Sequence, residues 1–129
     1  MLKKTVTYVD YNGVEKTQDL YFNLTKAELM KMEMSANGGL TEKIKKITAS
    51  NDAPAIIELF EDIIKKSYGV KTPEGGFVKN QKLVDEFVAT EAYSMIFMEL
   101  ATDADAAAAF VNGIIPADMS KQKTFVAGN

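Results

Sequence analysis

Around Asn23 the spacing of apolar residues changes, and with it the kind of structure the chain can form. Before it, Lys4 to Val9 alternates, with Val6 and Tyr8 on one face and Thr5, Thr7 and Val9 on the other. β-branched and aromatic residues at a period of two suit a half-buried strand. Asp10-Tyr11-Asn12-Gly13 reads as a turn, because Asn-Gly tolerates the positive φ of tight hairpins. Val14 to Phe22 returns as a second strand, apolar at Val14, Leu20 and Phe22 and polar from Glu15 to Asp19. A lone hairpin is marginal in water, so it must pack on helices or pair with a strand of another chain.

After Asn23 the period is helical. Thr25 is a good N-cap and Glu28 follows at the capping-box spacing, while Leu24 and Leu29 occupy the hydrophobic-staple positions. The helix runs from about Lys26 to Ala36 and is expected to stop at Asn37-Gly38-Gly39. Leu40, Ile44 and Ile47 mark a second helix. Asn51-Asp52-Ala53-Pro54 starts a third, since Asn and Asp accept first-turn N–H groups and Pro is tolerated there. Its apolar stripe is Ile56, Ile57, Phe60, Ile63, Ile64 and Tyr68, with Glu61–Lys65 and Asp62–Lys66 paired four apart on the wet side. Gly69 is expected to end it. Val70 to Lys79 is a loop or a small hairpin around Pro73-Glu74-Gly75-Gly76. Asn80 caps a helix carrying Leu83, Val84, Phe87 and Val88, and Thr90-Glu91 continues or restarts it through Leu100. Asp103 opens an alanine-rich helix to Asn112, closed by Gly113 and Pro116. The fold class is therefore α+β: an N-terminal β-hairpin followed by a bundle of about five short helices. Residues 1–116 form a single domain, and 117–129 a weakly ordered C-terminal tail.

Composition narrows the chemistry. The 129 residues contain no Cys and no His, which removes thiolate chemistry, the usual near-neutral general base and the commonest transition-metal ligand. The net charge is -3 and every basic residue is lysine. Without arginine, and without an excess of positive charge, nucleic acid and anionic membrane are poor partners. The start, Met1 to Tyr8, is too polar for a secretory signal, and the longest wholly apolar run, Ala106 to Val111, falls far short of the roughly 20 residues that span a bilayer. The chain reads as soluble and cytosolic.

No catalytic or cofactor motif emerges. Gly38-Gly39 and Gly75-Gly76 fit neither a P-loop nor a dinucleotide fingerprint and read as punctuation. Glu58, Glu61 and Asp62 lie one turn from lysines, as a solvated helix face does, and Asp103 and Asp105 sit where a cap is needed, without calcium-loop spacing. Lys43, Lys45 and Lys46, beside Lys31, read as a solvated face. The methionines are more informative. Met30, Met32 and Met34 crowd one helix, and Met95 and Met98 another, out of 7 in the chain. Methionine fills irregular core gaps, and it also makes adaptable binding surfaces. Both readings stand: a first helix buried on several sides, or a surface for self-association or a client. On the second reading the candidate partner-binding residues are Met30, Met34, Phe97 and Met98.

Several phrases carry a resemblance. Lys4-Thr5-Val6-Thr7-Tyr8 with Asp10-Tyr11-Asn12-Gly13, Tyr21-Phe22-Asn23-Leu24-Thr25-Lys26-Ala27-Glu28-Leu29, Ile63-Ile64-Lys65-Lys66-Ser67-Tyr68-Gly69, Thr90-Glu91-Ala92-Tyr93, Phe97-Met98-Glu99-Leu100-Ala101-Thr102-Asp103 and Ala107-Ala108-Ala109-Phe110-Val111-Asn112-Gly113 resemble proteins encoded in the tail modules of long-tailed phages and prophages. Together they span most of residues 3 to 116. The group is the tail assembly chaperones. The resemblance implies a non-enzymatic, cofactor-free protein of the bacterial host cytoplasm that coats the tape measure protein, helps recruit tail tube subunits and is absent from the virion. Weak, multivalent contacts with such a client favour self-association into a homo-oligomer, and the charge balance speaks against a nucleic-acid or membrane partner. No catalytic residue is carried over. The alternatives are a minor structural protein of the virion and a host-directed phage interaction protein.

Overall fold

The computed structural model describes residues 1–35 and 39–116, apart from the side chains of residues 33–35, 39–42 and 48. Of the helix stop expected at Asn37-Gly38-Gly39, Asn37 and Gly38 lie outside the described residues and Gly39 already begins the next helix; the tail expected over 117–129 lies outside them as well.

β1 (Leu2–Val9) and β2 (Glu15–Phe22) form the expected antiparallel hairpin, in register from Leu2 opposite Phe22 to Val9 opposite Glu15. Even-numbered residues of β1 face the helices and odd-numbered ones face solvent, where Thr5 donates to Asp19 at 2.7 Å and the Thr7 and Thr17 hydroxyls bond at 2.9 Å. In the turn only Gly13 has positive φ, at 79°. Asn12 needs none, because the Asp10 carboxylate accepts the N–H groups of Asn12 and Val14, both at 2.9 Å. The ribbon finds its further partner within the chain. β3 (Tyr68–Lys71) pairs with β2, and β4 (Phe77–Val78) pairs with β3, giving a four-stranded antiparallel sheet in the order β1-β2-β3-β4. At Lys79 and Asn80 the chain leaves the sheet for the helices that follow.

Six helices are described: α1 (Lys26–Ser35), α2 (Gly39–Ala49), α3 (Ala53–Ser67), α4 (Gln81–Val88), α5 (Glu91–Thr102) and α6 (Ala104–Ile114). The caps follow the sequence. The Thr25 hydroxyl accepts from Glu28 N–H at 3.1 Å and the Glu28 carboxylate accepts from Thr25 N–H at 2.9 Å, a complete capping box. Asp52, Asn80, Thr90 and Asp103 cap α3, α4, α5 and α6, so Thr90 starts a separate helix.

Three expectations need correction. α3 stops at Ser67 because Tyr68 is already extended, so Gly69 lies in β3 and does not end the helix. Its role is close approach: a Cβ there would sit 2.6 Å from the Phe77 ring and 2.9 Å from the Val78 carbonyl oxygen. Gly113 lies inside α6, where a Cβ would meet the Leu2 side chain at 2.8 Å, so it lets α6 press on β1. On α3 the buried stripe includes Leu59 and leaves Ile57 exposed, because the helix presents the Leu59 side to its neighbours.

One core joins sheet and helices. Phe22 is fully buried at its centre, with ring centroids 5.2 Å from Phe110, 5.8 Å from Tyr68 and 5.9 Å from Phe87. Tyr68 and Phe87 stack at 4.2 Å. Leu24 and Leu29, the staple pair, are both buried. Two backbone bonds tie the strand-to-helix crossing to distant elements: Asn23 N–H to the Ser67 carbonyl and Leu24 N–H to the Ile114 carbonyl, both 2.8 Å.

Candidate interaction surface

The four predicted contact residues fall in different places. Met30 on α1 is 61% exposed and Met98 on α5 is 55% exposed. Phe97 is half-buried against the core, 6.0 Å from the Tyr93 ring. The Met34 side chain lies outside the described residues. α5 thus brings Phe97 and Met98 together, while Met30 stands on α1, which packs chiefly on α2.

α5 adds a residue to the set. Met95, three positions before Met98 and 45% exposed, shares its helix face. The opposite face of α5 is anchored by Ala92, Ile96 and Leu100, all buried. Two long thioether side chains are therefore held in water by a helix whose backbone is fixed from below. Of the two sequence readings of the methionines, burial holds in part for Met32, which packs half-buried on the core, and exposure for Met30, Met95 and Met98.

α1 is held at its N-terminal end. Lys79 donates to both oxygens of Glu28 at 2.8 Å and to the Asn23 carbonyl at 2.6 Å. Burial alone would raise the Glu28 carboxyl, but the Lys79 ammonium and the Thr25 N–H outweigh it and hold Glu28 below its ordinary value. No sequence signal points to Lys79, because its partners are 51 and 56 residues away.

The acidic cluster behaves as a solvated face. Glu61 pairs with Lys65 at 2.9 Å and Asp62 with Lys66 at 3.0 Å. No group of three or more carboxylates among the described residues is placed to hold a metal ion. Lys31, Lys43, Lys45 and Lys46 are exposed. No helix among the described residues is long and apolar enough to cross a membrane.

A groove of about 660 Å³ opens between α2, α3 and the α5–α6 corner. Its apolar lining includes Ile44, Ile56, Phe60, Leu100, Ala107 and Val111, and Lys45 is the single charged lining residue among the described residues. The signal that could have found it is the spacing of Ala104, Ala107 and Ala108, small residues on one face of α6 that leave room above the helix.

These elements define an α+β protein with pliable apolar surface. A family model described as phage tail assembly chaperone matches residues 1–125, and the chain belongs to that family. No curated protein and no solved structure matches it.

Proposed function

We propose that this family member works without covalent chemistry, binding the tape measure protein in the host cytoplasm and helping to recruit tail tube subunits. The observation that carries the reading is the pair Met95 and Met98, exposed on a helix whose other face is buried. A long helical client presents apolar stripes of varied shape, and unbranched thioether side chains repack against such stripes at little cost. Contacts of this kind are weak one by one, so tube protein can displace them as assembly proceeds. Phe97 supplies a rigid aromatic edge beside them, and Met30 is a second exposed thioether on α1.

Co-expression with the tape measure protein of the same phage tests the reading. The soluble yield of that protein is expected to rise with the chaperone present, and an unchanged yield would count against client binding. Mass spectrometry of purified virions is expected to lack the chain; its retention there would make it a structural component.

A further inference from the structure

We propose that the exposed face of α5 selects client helices whose apolar stripe is bordered by lysine or arginine. The inference rests on the client-binding reading and adds to it the chemistry of the partner.

Charge is unevenly spread along the chain. Asp85, Glu86, Glu91, Glu99, Asp103 and Asp105 fall between residues 83 and 116, and no lysine does, whereas lysines outnumber carboxylates over residues 1–82. The net charge of -3 conceals this division. Helix stability does not ask for it. Asp103 caps α6, and Glu91 and Asp105 suit first turns, but the last turns of α4, α5 and α6 hold no basic residue. A lysine there would favour each helix through its dipole, as Lys46 does on α2 and Lys65 and Lys66 do on α3.

The carboxylates and thioethers share one surface. Glu91, Met95 and Glu99 follow one another at four-residue steps on α5, so Met95 stands between two carboxylates, with Met98 beside it one turn on. All four residues are exposed. Glu91 has no ion pair among the described residues. Lys4 of β1 donates to Oε1 of Glu99, while Oε2 accepts no bond among the described residues.

A helix laid along this face meets thioethers at its centre and a carboxylate toward either end. A stripe bordered by lysine or arginine sets cations against those carboxylates, whereas one bordered by glutamate sets like charges together. The lysines of α1, α2 and α3 lie away from α5, so the field of the whole chain also turns a basic client toward it. A second copy does not offer such a stripe from α2. Ile44 and Ile47, interleaved with Lys43, Lys45 and Lys46, already pack on their own core.

Three synthetic peptides of about 20 residues, each with the same leucine stripe bordered by lysine, glutamine or glutamate, test this against the full chain. Fluorescence anisotropy of the labelled peptides gives each Kd. The lysine peptide is expected to bind roughly tenfold tighter than the glutamate peptide at about 0.05 M salt, with the glutamine peptide between them. The gap is expected to narrow at about 0.5 M salt. Glu91→Lys with Glu99→Lys should reverse the order, and Met95→Ser with Met98→Ser should weaken all three peptides. If loss of the Lys4 pair unfolds the reversal variant, seen by circular dichroism, Glu91→Lys alone replaces it and should narrow the gap by roughly threefold. Equal binding of the three peptides at low salt, or a folded charge variant that keeps the parent's preference in full, would overturn the charge selection and leave client binding standing. A lysine peptide that binds the Met95→Ser, Met98→Ser variant undiminished would place the contact elsewhere and overturn it too. Binding of none of the three would overturn both readings.

Discussion

Helices α1 and α5 are both rich in methionine, yet the fold holds them in different ways. α5 packs on β1, α3, α4 and α6 and buries a residue on every turn at Ala92, Ile96 and Leu100. α1 is pinned at its beginning, by the Leu24–Leu29 staple, the Thr25–Glu28 box and the Lys79 clamp, and beyond that point it packs mainly on α2. The same side chain therefore stands on a helix buried at every turn in one case and, in the other, on a helix whose capping box, staple and lysine clamp lie at its start. Composition puts methionine in both places, and packing decides how stiffly each is presented.

The largest effect is expected where both helices lose their common support. Phe22→Ala empties the ring cluster with Tyr68, Phe87 and Phe110 and should cost about 3–5 kcal/mol, read as a drop in denaturant midpoint. Protection of α1 and α5 against hydrogen exchange should fall together. Gly69→Ala comes next, at about 1–3 kcal/mol, because its Cβ would collide with the Phe77 ring and with backbone at Val78. It should weaken β3–β4 pairing before it touches either helix.

Lys79→Met separates the two helices. The Lys79–Glu28 pair is partly exposed, so its loss should cost only about 1 kcal/mol, but that loss is local. Amides of α1 should exchange faster while those of α5 stay unchanged; equal loss in both would erase the distinction. Acid acts on the same clamp with a smaller effect. Glu28 sits below its ordinary value of 4.5, so its contribution is complete above that pH and is lost as pH falls through the lower folded value. Exchange in α1, corrected for intrinsic rates, should rise relative to α5 as pH falls below 4.5.

What the sequence discloses and what it hides divide along the same line between local and distant causes. The Thr25–Glu28 box, the Asp52 and Asn80 caps and the β1–β2 register follow from residues a few positions apart, and all are present. Gly69 and Gly113 mislead because a glycine that ends a helix and one that admits a neighbour look alike in sequence. The neighbours concerned, Phe77 and Leu2, are set by the tertiary fold. β3 and β4, at 4 and 2 residues, are too short for alternation to show, so the sequence leaves a loop and a small hairpin both open at Val70 to Lys79, and the hairpin is what forms. Met98 is legible as candidate surface from its type and spacing, whereas the Met95–Met98 pairing on one exposed face needs the burial of Ile96 to fix the rotation of α5. The groove needs four helices placed at once.

The most direct measurement is client solubility with Met95→Ser and Met98→Ser together. Both side chains are exposed, so stability should change by less than about 0.5 kcal/mol. Soluble tape measure protein in co-expression should nevertheless fall toward the level seen with no chaperone. Full solubility with the double variant would contradict the claim that these thioethers hold the client.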